Sequence, residues 1–173
     1  MSNLIRHLIG YIIGFIIFLV LIPYGLYKLS ELDPFIKACS TNYLLLRLIL
    51  SLPFCLIGLF FAIWSNIFLL KIGKGGPTDG FNVAISPRTK NLVVTGPYRY
   101  SRNPMVFGTL ALYFSISLFL LSVLCLITLI LFIWFIIQYV KRTEEKRLLK
   151  DFGQEYSAYK SKTGMIFPFV RRN

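Results

Sequence analysis

The sequence predicts an all-α integral membrane protein of about four transmembrane helices, the last two forming a C-terminal helical hairpin, with one polar module between the span pairs and one after the hairpin. Three observations carry this expectation. Of 173 residues, 56% are hydrophobic and 16% aromatic, and the mean hydropathy is +0.69, above what a soluble domain of this size carries. The apolar residues fall in uncharged runs long enough to cross a hydrocarbon core of about 30 Å. The 19 Lys and Arg against 7 Asp and Glu give a charge of +12, yet long uncharged segments hold the cations apart. That distribution suits a cationic face toward anionic lipid and excludes the clustered basic body of a nucleic-acid binder.

The first span is expected over 8–29, with no charge before Lys28. It exceeds the length of a signal-peptide core and no small-residue cleavage site comes after it, so it is expected to be retained. Pro23 is expected to kink it near one end. A short link with Lys28, Glu31, Asp33 and Lys37 leads to a second span over 43–70, which includes Pro53 and Arg47, the latter close enough to the end to snorkel. Met105 to Val140 is uncharged for 36 residues, nearly twice what one crossing needs at about 1.5 Å per residue. A tight turn near Leu121–Ser122 divides it into spans 105–121 and 122–140. Four spans put both termini on one side, together with Arg6, six Lys or Arg in 71–104 and nine in 141–173, against Lys28 and Lys37 opposite. The positive-inside rule then makes the termini and the 71–104 loop cytoplasmic.

Cys39, Cys55 and Cys125 have no metal-ligand spacing and read as structural thiols. His7 is the single histidine, which removes a zinc site and a histidine-based triad of the usual kind. No internal repeat or low-complexity tail is present.

Module 71–104 holds Gly73, Gly75, Gly76 and Gly80 with Pro77 and Pro87, too many breakers for a helix, so a long loop is expected. Its "GKGG" lacks the ending and the preceding strand of a phosphate loop. Asn91 to Thr95 is β-prone, Gly96–Pro97 marks a turn, and Asn103–Pro104 reads as the N-cap and first residue of the next helix. In module 141–173, Leu148, Leu149, Phe152, Tyr156 and Tyr159 recur at helical spacing around Gly153, which describes an interfacial helix or helix pair. Because the modules leave opposite ends of one hairpin, Glu144 and Asn103 should be neighbours.

"LVVTGPYRYSRNPM", then Gly108, an apolar hairpin and "EEKRLLKDFGQEYSAYKSKTG" together resemble the isoprenylcysteine carboxyl methyltransferases and phospholipid methyltransferases, integral membrane enzymes that use S-adenosylmethionine. The resemblance covers roughly Gly73 to Pro168. It implies a methyltransferase whose cofactor site is formed by the cytoplasmic loop and the C-terminal helix, and a lipidic or small hydrophobic substrate reached from the bilayer. Carried over by position, the cofactor-binding residues are Lys90, Asn91, Leu92, Val93, Tyr98, Arg102, Asn103, Pro104, Met105, Val106 and Glu144, and the catalytic candidates are Arg102, Glu144 and Glu145. The family histidine is Asn103 here, the following tyrosine is Val106, and the arginine four residues before the first glutamate is Val140.

S-adenosylmethionine brings a sulfonium, a flat adenine and an amino-acid head, matched by aromatic faces or carboxylates, an apolar slot and paired charges. Tyr98, Tyr100, Glu144 and Arg102 supply those groups. A carboxylate acceptor needs no base, whereas an amine must lose a proton, for which Glu144 or Glu145 is the candidate. Arg88 and Lys90 read as lipid-facing charge. Two other functions fit parts of the pattern: an NADPH-dependent membrane reductase resembling the sterol reductases, and a non-enzymatic lipid-binding protein whose tyrosines and arginines form an interfacial belt.

Overall fold

The computed structural model describes residues 3–34, 43–76, 79–80, 83–84 and 86–168. Lys37, Cys39, Arg171 and Arg172 lie outside them. The regular elements of the described chain are helices and one antiparallel ladder, Asp79–Gly80 against Val83–Ala84. Three helices are long and apolar enough to cross a membrane, Leu4–Glu31, Leu44–Gly73 and Val123–Lys162, and a shorter apolar helix spans Pro104–Leu120. Their outer faces are apolar, with Leu45 72% and Trp134 65% exposed. Water would not tolerate so continuous an apolar exterior, and lipid does.

Helices α1 (Asn3–Phe15) and α2 (Ile22–Glu31) form one rod joined by a π-helical turn over Ile16–Leu21. Pro23 therefore acts just upstream of itself: it cannot donate to the carbonyl four residues back and its ring crowds that carbonyl, so the ladder widens before it. The carbonyl of Phe18, inside the widened turn, accepts a 3.1 Å bond from the buried Tyr113 hydroxyl.

Helix α3 (Leu44–Phe68) enters a second π turn at Leu69–Gly73 and packs along α4 (Pro104–Leu120). Small residues set this crossing. A Cβ on Gly58 would fall 2.6 Å from Leu112 Cγ and 2.8 Å from the Gly108 carbonyl, and one on Gly108 would fall 2.8 Å from the Ala62 nitrogen. Ser115 Oγ adds a buried 2.9 Å bond to the Ser51 carbonyl.

The hairpin turns at Leu121–Ser122 as the run length requires, with Leu121 at φ +51. Ser122 Oγ accepts from the Cys125 amide at 3.2 Å and donates to Asp33 at 2.8 Å, and Asp33 also accepts from the Leu124 amide at 2.9 Å. A buried carboxylate thus caps the N-terminus of α5 (Val123–Tyr139), the end that carries partial positive charge. Beyond a third π turn, Val140–Glu144, the rod continues as α6 (Glu145–Lys162), kinked at Gly153 (φ 53, ψ −124). The core joins Leu26, Leu110, Tyr113, Cys125, Leu129 and Ile166. Cys125 is buried as a structural thiol, its Sγ 3.2 Å from the Leu26 carbonyl, and Cys55 is free.

The β-prone Asn91 to Thr95 run lies against the loop without strand pairing, held at its start by bonds from Asn91 to the Ile72 and Gly73 carbonyls. One expectation is corrected. Leu149 is 49% exposed while Tyr156 is 1% exposed, since only Leu148, Phe152 and Tyr156 repeat at four-residue spacing on the packed face.

Gly58→Leu or Gly108→Leu should force α3 and α4 apart and lower the thermal midpoint in detergent, an overpacking cost of about 1–3 kcal/mol. Gly25→Ala, with nothing within 4 Å of its added methyl, should leave the midpoint unchanged or raise it.

Candidate functional site

The loop after α3 is folded back on itself by its glycines. Lys74 is left-handed (φ 52), and a Cβ on Gly75 would stand 2.6 Å from the Thr89 nitrogen. Segment 73–76 can therefore lie directly against 86–91, closed by bonds from the Lys90 amide to the Gly73 carbonyl (2.7 Å), from Asn91 Nδ2 to the Ile72 carbonyl (2.9 Å) and from the Gly76 amide to the Pro87 carbonyl (2.9 Å). "GKGG" serves this close backbone approach. Gly96, at φ +61 against the Phe68 ring, then opens a 3-10 turn over Gly96–Arg99 that buries Pro97.

The C-terminal segment passes alongside the next residues. The Arg102 amide donates to the Gly164 carbonyl at 2.9 Å, the Asn103 amide to Met165 at 3.0 Å, and Ser101 Oγ to Ile166 at 2.7 Å. Tyr159 Oη donates to the Tyr98 carbonyl at 2.6 Å. Asn103 stands at the N-cap position with Pro104 first in α4, but its side chain does not cap. Its Nδ2 donates instead to the Met165 carbonyl at 2.9 Å, because the passing segment brings that acceptor within reach. The expected side-chain cap is thus replaced by a tertiary bond.

One half-open cleft lies between the loop and α6. Of the residues singled out from the sequence, Asn91, Leu92, Val93, Tyr98, Arg102, Asn103, Pro104, Met105, Val106 and Glu144 line it. Lys90 and Glu145 do not. Lys90 is exposed at the loop junction, where its amide rather than its charge is used. Arg88, expected to face lipid, is in the cleft wall, drawn in by the folded-back loop. Arg99 and Tyr100 stay outside, the latter beside Trp64 at 6.3 Å between ring centroids.

Glu144 and Glu145 point to different places. Glu145, 7% exposed, meets Arg102 Nη1 at 2.7 Å and Lys160 Nζ at 2.6 Å. Both partners of the Arg102 contact are 8% exposed at the side chain, and they meet as charges without an aligned hydrogen bond. Tyr156 packs its phenol beside Arg102. Glu145 is therefore held behind Arg102, whereas Glu144 faces the cleft with Tyr98. Burial, then Glu144, then Tyr11 push the Tyr98 phenol above its ordinary range, so it stays protonated and can donate at any physiological pH.

Arg147, Leu148 and Phe152 also line the cleft. Their three-, four- and eight-residue spacing from Glu144 places them on its helical face, a signal present in the sequence. Thr89 arrives through loop closure, for which no local signal exists, while Tyr159, already marked by its helical spacing, is brought in by its bond to the Tyr98 carbonyl. One carboxylate, three guanidinium-bearing residues and two tyrosines thus surround a floor of Leu92, Val93, Met105 and Leu148. Such a site suits a ligand that combines a cation, a carboxylate and a flat ring.

Residues 46–155 match the phospholipid methyltransferase family, and the chain belongs to it. The matched region carries the α3–α4 crossing, the folded loop, the hairpin and most of α6. Over 79 residues the chain is 38% identical to the protein-S-isoprenylcysteine O-methyltransferase of Saccharomyces cerevisiae, covering 46% of this chain and 33% of that protein. The alignment spans about a third of that relative's length. No solved structure matches the chain.

Glu145→Ala leaves Arg102 buried without its counter-charge and should cost about 3–5 kcal/mol of stability, read as a lower thermal midpoint. Lys160→Ala, removing a half-exposed partner, should change the midpoint little.

Proposed function

We propose that the chain is an S-adenosylmethionine-dependent membrane methyltransferase that passes a methyl group to a lipidic or small hydrophobic acceptor, from four spans with both termini and the cleft on the cytoplasmic side. The observation that supports this best is the shared cleft: Tyr98, Arg102 and Glu144, drawn from two modules of a methyltransferase-family region, line one wall system. Glu144 and the Tyr98 ring would face the sulfonium, Arg102 and Arg147 the cofactor's carboxylate, and Leu92, Val93 and Met105 the adenine. When bound, the cofactor supplies an already activated methyl carbon, so the chain's own work is positioning and exclusion of water. Arg102, fixed from behind by Glu145, is preorganised for that work.

The four-span topology rests on the hairpin and on the cation asymmetry. At 17 residues, α4 is about 26 Å long at 1.5 Å per residue, just short of a hydrocarbon core, and its neighbours flank it. A lipidic acceptor would enter from the bilayer while the soluble cofactor enters from the aqueous side.

Calorimetry with S-adenosylmethionine tests the reading. The parent protein should bind it, and Glu144→Ala, which removes a charge-assisted contact of about 1.5–3 kcal/mol, should weaken binding roughly ten- to a hundredfold. Binding at full strength by the variant would sink the site assignment. Heat from NADPH and none from S-adenosylmethionine would point to the reductase chemistry instead.

A further inference from the structure

Helices α2 and α3 each pack on α4 more than on each other, and at the hairpin end they leave a groove between them of about 300 Å³. That volume lies at the lower end of the roughly 300–1,000 Å³ of ligand pockets. Ser51 and Cys55 of α3 and Ser115 of α4 are the small side chains that open it, and the exposed rings of Tyr27 and Phe119 flank it. Ser115 Oγ donates to the Ser51 carbonyl at 2.9 Å, so the floor uses its polar groups internally and presents a surface suited to a hydrocarbon chain.

Arg47 stands one turn before Ser51 on the same face of α3. It is half-buried, its Nε is shielded from solvent without a hydrogen-bond partner, and no ion pair engages it among the described residues. The chain has no carboxylate left for it. Of the seven acidic residues, only Glu31 and Asp33 belong to the hairpin end. Lys28 holds Glu31 at 3.0 Å, while Asp33 accepts from Ser122 and from the Leu124 amide. The link 35–42 carries Lys37 and no acid, and the other five carboxylates are in the modules 71–104 and 141–173. Snorkelling satisfies a cation by carrying its head into water; here the shielding reaches Nε, and the counter-charge has to come from outside the chain.

We propose that the hairpin end of the bundle holds one anionic phospholipid, its phosphate on the Arg47 guanidinium and an acyl chain along the groove. The planar fork of an arginine matches a phosphate, and a lipid of net negative charge completes the pair without bringing a cation of its own. From Arg47 to Cys55 is about 12 Å of α3 at 1.5 Å per residue. The head group thus lies at the first turn of α3 and the chain runs from there toward the middle of the bilayer, the orientation of a lipid in the leaflet at that end. Seated between α2 and α3, which touch each other little, the lipid braces the first rod against the α3–α4 pair. The site is at the opposite end of the bundle from the cleft and is independent of methyl transfer.

The full chain, stripped of lipid in mild detergent, is titrated with phosphatidylglycerol and with phosphatidylcholine of the same acyl chains, and read by native mass spectrometry and by thermal midpoint. One phosphatidylglycerol per chain should be retained in preference to phosphatidylcholine and should raise the midpoint, as a ligand of the folded state does. Arg47→Gln should weaken that retention about tenfold or more, the range for a charge-assisted contact, while its lipid-free midpoint stays at the parent's. Arg47→Lys, which keeps the charge and loses the fork, should fall between the two. Cys55→Phe, which fills the groove and leaves the guanidinium in place, should also weaken retention. Equal retention by Arg47→Gln and the parent, equal retention of the two lipids by the parent, or full-strength binding by Cys55→Phe would each overturn the proposal. So would a fatty acid retained in place of the phospholipid, or a lipid-free dimer that Cys55→Phe abolishes, which would assign the groove to a second copy of the chain.

Discussion

Where the loop before α4 passes the start of α6, a guanidinium and a carboxylate, each 8% exposed, meet at 2.7 Å. Desolvating two charges opposes their attraction, so a pair this shielded persists only where its surroundings hold both ends in place. Lys160 takes the second oxygen of Glu145, Tyr156 packs beside Arg102, and the backbone bonds of Arg102 and Asn103 to Gly164 and Met165 fix the chain on either side. The cleft depends on this junction. Tyr98 is held through its carbonyl by Tyr159, and Asn103 through its side-chain amide by Met165. The loop wall and the helix wall are therefore one rigid unit, although the whole apolar hairpin separates them in the chain.

The three π turns explain why neighbouring residues do different work. Each widens the helical ladder locally and rotates the downstream residues relative to a regular helix. The turn over Val140–Glu144 ends at the two glutamates, sending one carboxylate to the cleft and the next behind it. The turn over Leu69–Gly73 ends α3 with Gly73 as the acceptor that closes the loop. The turn over Ile16–Leu21 contains the carbonyl that Tyr113 uses to tie α4 to the first rod.

The sequence was most informative where local chemistry decides. The excess length of the uncharged run located the turn at Leu121–Ser122, and the two polar modules flanking it identified which residues should converge. Ten of the eleven residues assigned to the cofactor by position share the cleft. The features that stayed hidden depend on contacts between residues far apart in the chain. The burial of Glu145 requires Arg102, 43 positions earlier, and the loss of the Asn103 cap requires Met165, 62 positions later. Arg88 reads as a surface cation until the glycine-mediated fold-back of the loop places it in the wall.

The two ends of the bundle are built on opposite principles. At the hairpin end, Asp33 and Ser122 satisfy the first amides of α5, Cys125 points its thiol at a carbonyl, and Leu121 accepts a left-handed conformation to keep the turn tight. These polar groups are consumed by structure, as an apolar environment demands. At the cleft end, Glu145 and Lys160 are consumed in the same way behind Arg102, while Glu144 and Tyr98 line the cleft. The α3–α4 crossing and the hairpin clamp fix the bundle, so the polar groups of the cleft are presented by helices whose places are already set.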